Sequence, residues 1–446
     1  MPRHSETIVA AATPPGRGGI GVVRISGGAA RAVALAVCGV LPAPREATLA
    51  TFRDAGGETI DRGLALYFPA PNSFTGEDVL ELHAHGSPVV LDSLVRRACE
   101  LGARPARAGE FSERAFLNDK LDLAQAEAIA DLIAARSEAQ AHAAQRSLAG
   151  EFSRRIEPLR AALVRLRVEV EAAIDFSDDA SESASMPMLH TLFENVRAGV
   201  DSLLAAARRG VRLTDGLHVV IAGAPNAGKS SLLNALAGSG RAIVTEMPGT
   251  TRDVLREVIM LDGVELTLVD TAGLRESPDP VEAEGIRRAQ AELARADLVL
   301  WIVDRQDADA LAQDISGLPS TASRLLVINK IDLAGNQAGR RVANGVITIA
   351  LSARTGDGIE LLREELRSVA LGGTGGGDFS ARARHVAALE KVRGHLQAAH
   401  AAFARATPEL VAEDLRAAQQ ALGEITGAFT NDDLLGAIFS TFCIGK

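Results

Sequence analysis

The chain has 446 residues, 47% of them hydrophobic and 23% charged, a balance that excludes wholesale disorder and a coiled-coil fibre. A formal net charge of -10 argues against a strong non-specific nucleic-acid binder, although a local basic face stays open. Three cysteines (Cys38, Cys99 and Cys443) are too few and too scattered for a disulfide scaffold or a zinc site, so a reducing, cytoplasmic setting is expected.

At roughly 150 residues per domain, the length predicts about three domains. Residues 1–118 read as a mixed α+β region. Strands are expected at GIGVVRIS (19–26), GLALYF (63–68) and DVLELHAH (78–85), and a helix at 87–101, opened by Ser87 with Pro88 in its first turn. The apolar stretch near the N-terminus is too short for a signal-peptide core and is cut by Pro14-Pro15. No run approaches the ~18 apolar residues of a membrane span.

From 119 to 212 apolar residues recur three and four apart. That spacing predicts long amphipathic helices, one running unbroken from 121 to 148, with SDDASESAS (177–185) as a polar break. From 213 to 371 strands alternate with helices: 217–223, 254–260, 264–270, 298–304, 325–330 and 346–351 are expected strands. Their near-continuous apolar runs suit a parallel sheet covered on both faces. LGGTGGG (371–377) reads as a linker. Residues 372–446 are helical again and have little core of their own. They are expected to pack on the 119–212 helices, which makes the α/β unit an insertion in a helical domain.

GAPNAGKS (223–230) fits the phosphate-loop pattern G-x-x-x-x-G-K-S/T between a strand and a helix. Glycine lets backbone N–H groups point at phosphate oxygens, and the helix N-terminus adds partial positive charge. Lys229 would reach the β- and γ-phosphates, and Ser230 would bind Mg2+. DTAG (270–273) ends a strand, where Asp270 can hold Mg2+ through water and the Gly273 N–H can touch the γ-phosphate. In NKID (329–332), Asp332 can accept both N1–H and the 2-amino group of guanine, a donor pair that adenine lacks. Lys330 can lie along the base, and SAR (352–354) supports it. This order of motifs predicts a Ras-like P-loop G domain that hydrolyses GTP. The expected nucleotide contacts are Asn226, Ala227, Gly228, Lys229, Ser230 and Ser231; the segment Thr245, Glu246, Met247, Pro248, Gly249, Thr250 and Thr251; then Asp270, Thr271, Ala272 and Gly273; and finally Asn329, Lys330, Asp332, Ser352, Ala353 and Arg354.

Leu274 stands after DTAG and cannot orient water as a glutamine does. Asn226 with a monovalent cation, Arg252 or Arg275 directly, or Glu282 as the water-orienting acid could replace that function. Arg252 and Arg275 also read as solvated loop charges, and Glu282 as a carboxylate at a helix start.

GAPNAGKSSLLNALAG, TEMPGTTRD (245–253), DTAGLRE, NKID and the terminal FCIGK closely resemble the tRNA-modification GTPase MnmE (TrmE) family. NSFTGEDVLELHAHGSPVVL and RPARAGEFSERAFLNDKLDLAQAEAIADLI carry the likeness into the N-terminal region. The resemblance implies an N-terminal domain (1–118) that binds a tetrahydrofolate one-carbon unit, as 5-formyl- or 5,10-methylene-tetrahydrofolate, and forms a homodimer. It implies a helical domain in two parts (119–212 and 372–446) around the G domain (213–371). With the FAD-bearing flavoprotein MnmG (GidA), such proteins add an aminomethyl or carboxymethylaminomethyl group to C5 of the wobble uridine of certain tRNAs. It further implies K+ held by Asn226, Thr245, Met247 and Thr250, and Mg2+ held by Ser230 and Thr251. Glu282, Lys229 and Asn226 become the catalytic residues, and Arg24, Glu81, Lys120 and Lys446 the folate contacts. The family usually carries a TDIAGTTRD-like segment where Met247-Pro248 stand here.

Only five of the 47 basic residues are lysines. Lys229, Lys330, Lys120 and Lys446 fall in these motifs and Lys391 does not, so lysine marks positions that need a compact ammonium. Cys443 reads either as a reactive thiol or as a buried inert one. His83 and His85 read as core or rim histidines rather than metal ligands. Arg208, Arg209 and Arg212 read as a solvated helix end. Two rival readings keep the G domain: a GTP-switched binding module, such as a ribosome-assembly GTPase, and a standalone nucleotide hydrolase.

Overall fold

The computed structural model describes residues 6–175, 182–223, 226–237, 256–261, 264–270, 291–304, 323–335, 337–343, 346–371, 379–405, 407–428 and 432–445. It is an α/β structure with two sheets and many helices. Two compact units can be separated. The first gathers residues 1–133, 147–200 and 388–446, and the second 134–146 and 201–387.

In the first unit, strands β1 (Thr7–Ala11), β2 (Gly18–Ser26), β3 (Thr48–Arg53), β4 (Thr59–Phe68), β5 (Val79–Gly86) and β6 (Ala103–Pro105) form one sheet in the order β3-β4-β5-β2-β1-β6. The pairs are antiparallel except β1 with β6. Alternation along β1 separates two cores. Val9 joins Val23, Ile25 and Leu82 beneath helices α1 (Ala30–Cys38) and α2 (Pro88–Glu100), which contribute Val33 and Leu94. Ile8 and Ala10 face the other way, onto Phe111 of α3 (Glu110–Leu117).

Helices α4 (Leu123–Ala134) and α5 (Glu138–Leu148) replace the single helix predicted over 121–148. The break has a local cause. The Gln140 N–H donates to Ser137 Oγ while Gln140 Oε1 accepts from the Arg136 N–H, a variant of the capping box that starts a new helix. At the start of α4 the exchange is reciprocal: the Gln125 N–H donates to Asp122 Oδ1 and the Asp122 N–H to Gln125 Oε1. Two long helices follow, α6 (Glu151–Asp175) and α7 (Glu182–Asp215).

In the second unit, β7 (Leu217–Gly223), β8 (Arg256–Leu261), β9 (Val264–Asp270), β10 (Leu298–Asp304), β11 (Ser323–Asn329), β12 (Gly339–Ala343) and β13 (Val346–Ala350) form a sheet in the order β12-β13-β11-β10-β7-β9-β8. The five inner strands are parallel, and β8 and β12 close the edges antiparallel. The apolar runs of β7 and β10 are buried on both faces. Val219 and Ile221 enter the core shared with α8 (Lys229–Ala237) and α9 (Ile359–Leu371), and Val220 packs with Val299 on the opposite side.

The C-terminal helices are α10 (Ala383–Ala404), α11 (Pro408–Thr426) and α12 (Asp432–Ser440). As expected, within the first unit they pack on the earlier helices. Leu123 and Ala126 of α4 meet Leu435, Ile438, Phe439 and Phe442, and Arg167 of α6 donates to Gln419 of α11 at 2.8 Å. Each large apolar side chain buried there contributes about 1.5–3 kcal/mol. Among the described residues, no helix is long and apolar enough to cross a membrane.

Candidate functional site

In the second unit the parallel strands end at one edge, where ligands of such sheets bind. Gly223 ends β7 with φ +152°, and a Cβ there would lie 2.0 Å from the Ile302 carbonyl oxygen of β10, so only glycine lets the loop leave the sheet. Asn226 sits at φ 62°, a left-handed conformation that asparagine tolerates better than most residues. Gly228 follows at φ +95°. Helix α8 then starts on Lys229, with the Leu232 N–H donating back to the Gly228 carbonyl at 2.9 Å. Lys229 Nζ reaches back to donate to the Gly223 carbonyl at 3.2 Å. Ser230 and Ser231 are exposed in the first turn.

Asn329 is 2% exposed and ties the loops together. Its Nδ2 donates to the Ala227 carbonyl at 2.9 Å, and its Oδ1 accepts from the Ala353 N–H at 3.0 Å. The sequence predicts Asn329 as a nucleotide contact. In the structure its amide is committed to phosphate-loop and SAR backbone, which makes it the brace of the site. The same amide forbids a side chain at Gly228, where a Cβ would come within 2.2 Å of Nδ2.

Strand β11 stops at Asn329, one residue earlier than predicted, because Lys330 turns left-handed at φ 63°. That turn opens a short 3-10 helix, Ile331–Ala334, and presents Asp332, whose Oδ1 accepts from Ser352 Oγ at 2.7 Å. Lys330 Nζ pairs with Asp304 Oδ2 at 2.7 Å. Asp304 ends β10 opposite Asn329 and was missed in sequence; its only signal is an acid closing the run LVLWIVD. Phosphate loop, NKID and SAR therefore form one hydrogen-bonded constellation, with Arg354 exposed at its rim. Asp270 closes β9, beside β7. Thr245, Glu246, Met247, Pro248, Gly249, Thr250, Thr251, Thr271, Ala272, Gly273, Leu274 and Glu282, with Arg252 and Arg275, lie outside the described residues.

The first unit brings together part of the second predicted set. Arg24 and Glu81 face each other across β2 and β5, with Arg24 Nε 2.9 Å from Glu81 Oε1. The Arg24 guanidinium lies 5.6 Å from the Phe74 ring centroid and 5.8 Å from that of Phe111. The C-terminal tail comes to the same place. Arg24 donates to the Gly445 carbonyl at 3.4 Å, Ile444 bridges to Ala108, and the Gly109 N–H donates to the Cys443 carbonyl at 3.3 Å. Gly445 is required there, since a Cβ would lie 2.4 Å from the Ala11 carbonyl oxygen. Cys443 is exposed, which removes the buried-thiol alternative. Lys120 is also exposed, and Lys446 lies outside the described residues.

Beside this cluster runs a buried ionic network that sequence reasoning missed. Arg114, 1% exposed, pairs with Glu77 at 2.9 Å and with Glu110 at 3.1 Å, and Arg104 pairs with Glu110 at 2.6 Å. Burial pushes the Glu110 carboxyl up, but donors from Arg104, the Arg107 N–H and Arg114 outweigh it and hold the group at about 2. His83 hydrogen-bonds to Glu81 and His85 to Asp61, so these are rim histidines with separate carboxylate partners. Arg212, expected at a solvated helix end, is half-buried and donates to the Val369 carbonyl at 2.9 Å. Lys391, left without a role by its sequence context, pairs with Glu424 at 3.5 Å.

The family model of the MnmE helical domain matches residues 123–443, and that of the GTP-binding protein TrmE N-terminus matches residues 7–120. The tRNA modification GTPase MnmE of Yersinia pseudotuberculosis serotype IB is 55% identical over 451 residues, covering 99% of each chain. That of Methylococcus capsulatus is 55% identical over 443 residues, again covering 99% of both. Among solved structures, the G domain of the T. maritima FeoB iron transporter is 27% identical and covers 34% of this chain and 98% of its own, with a TM-score of 0.27. Two family models and near-complete alignment at 55% identity lead to one conclusion: the chain belongs to the MnmE family of tRNA modification GTPases.

Proposed function

We propose that this chain couples GTP hydrolysis to modification of the wobble uridine in certain tRNAs, in the cytoplasm. The flavoprotein MnmG (GidA), carrying FAD, is the partner that completes the reaction. The product is an aminomethyl or carboxymethylaminomethyl group on C5 of the uridine, built from a tetrahydrofolate one-carbon unit. The observation that carries the GTP half is the constellation braced by Asn329, in which phosphate-loop backbone, Lys229, Lys330, Asp332 and Ser352 converge on one sheet edge.

In this reading the N–H groups at the start of α8 and Lys229 hold the β- and γ-phosphates, and Asp332 selects guanine. Ser230 offers an exposed hydroxyl in the first turn of α8, a fit for Mg2+, with Thr251 as second ligand. Asn226, exposed and left-handed on the loop, fits a K+ ligand, completed by Thr245, Met247 and Thr250. The cation supplies positive charge where phosphate charge develops, and Glu282 orients the water. Two G domains pair when K+ binds, within a homodimer. Arg24, Glu81, Lys120 and Lys446 take the folate; a guanidinium flanked by two phenyl rings suits a flat, anionic ligand. The family match spans both the N-terminal block and the C-terminal tail, which favours this reading over a GTP-switched binding module.

The test is GTP turnover at saturating nucleotide in KCl and in NaCl at equal ionic strength. Potassium is expected to raise the rate at least about tenfold, roughly 1.4 kcal/mol of barrier. Equal rates would remove the cation, and with it the Asn226 role.

A further inference from the structure

We propose that His190, Glu194 and His400, all in the first unit, form a zinc site that clamps helix α7 to helix α10. His190 and Glu194 stand one turn apart on α7 and therefore share a face. His400 reaches that face from α10. The candidate ligand atoms all lie within 4.8 Å of one another, and this is the one such group of three among the described residues. The two imidazole rings are 5.9 Å apart and nearly perpendicular, at 66°.

The surroundings favour a bound ion over an accidental meeting of polar tips. His400 rests edge-on against Phe193, which is 2% exposed, and Phe193 packs on Phe403. The cluster thus has an apolar floor and a side open to solvent through the exposed His190. A dry floor orients the imidazoles, and the open side leaves a position for water. Glu194 accepts a hydrogen bond from Arg197 on the next turn, a partner the metal must displace or share.

The donor set selects the metal. Two imidazole nitrogens and one carboxylate oxygen suit zinc, which takes three protein ligands and a water. Mg2+ and Ca2+ prefer all-oxygen sets. Zn2+ has no d-electron geometry to enforce, so it accepts ligands offered by two helices. Zinc bonds of about 2.0–2.2 Å require the three tips to draw together, a movement within rotamer reach for side chains that are exposed or half-buried.

The test is zinc titration calorimetry on the full-length chain with GDP and excess Mg2+ present. A Cys443→Ser background removes the exposed thiol as a competitor. One zinc per chain is expected, with a Kd of roughly micromolar order and a Tm rise of about 2–4 °C at saturation. His190→Ala and His400→Ala should each weaken binding at least about tenfold. His190 is exposed, so its variant should keep the metal-free Tm and the zinc-free GTP turnover. Co2+ offers a second readout: a visible tetrahedral band that His190→Ala abolishes. No zinc bound at ~100 μM, or an affinity unchanged in both histidine variants, would overturn the proposal.

Discussion

Asn329 has one amide and two loops to hold. Replacing it by alanine strands the Ala227 carbonyl and the Ala353 N–H inside the protein, at about 1–3 kcal/mol for each unpaired group. Asn329→Ala is therefore expected to lower GDP affinity at least about tenfold; unaltered affinity in a fluorescent-GDP titration would refute its bracing role. The cysteines divide by environment. Burial pushes the Cys38 thiol up to about 12 and also raises that of Cys99, whereas Cys443 is exposed. At pH 7.5 iodoacetamide should label Cys443 well before the other two, because the thiolate is the nucleophile and access is required. Mass spectrometry reading equal rates at all three would contradict this.

At the scale of elements, α3 depends on ionised Glu110. Its carboxyl sits below the ordinary value of 4.5, at about 2, so the charged form is the one the folded state prefers. The sign follows: this stabilisation is complete above about pH 4.5 and is lost as pH falls toward 2. Glu110→Gln should destabilise the chain at pH 7 and flatten that part of its acid unfolding curve. A variant whose Tm falls with pH as steeply as the parent's between those values would exclude Glu110 as the group responsible. The start of α5 shows the same reliance on local pairs, since Ser137 and Gln140 restart the helix after Ala134.

The whole molecule divides its chemistry between two compact units. The phosphate loop and guanine motif lie in the unit of residues 134–146 and 201–387, and Arg24, Glu81 and the C-terminal tail lie in the other. Binding to a folded unit suppresses its local opening by about 2.7 kcal/mol at 100 times the Kd. Hydrogen exchange should therefore slow with Mg2+–GDP chiefly in β7, α8 and the Ile331–Ala334 turn, and with 5-formyltetrahydrofolate chiefly in β2, β5 and the tail. Protection by the folate confined to the nucleotide unit would refute the assignment of Arg24 and Glu81.

Periodicity and local motif chemistry were enough, from sequence, to determine the α/β class, the parallel-sheet strands and the phosphate loop with its glycines; the family was legible through the resemblance of whole sequence blocks to known members. These are properties of neighbouring residues, written in spacing and side-chain type. The break between α4 and α5 was equally local, but its Ser137–Gln140 pair lies inside an alanine-rich run that reads as continuous helix. Tertiary structure alone decided that Asn329 braces two loops, that Asp304 meets Lys330, that Arg114 is buried among Glu77 and Glu110, and that Gly445 lies beside Arg24. Apart from Arg114 with Glu110, one turn apart on α3, each of those contacts joins residues distant in the chain. A buried charge or amide is tolerable only where folding supplies its partner, and that partner has no signature in the residues on either side of it.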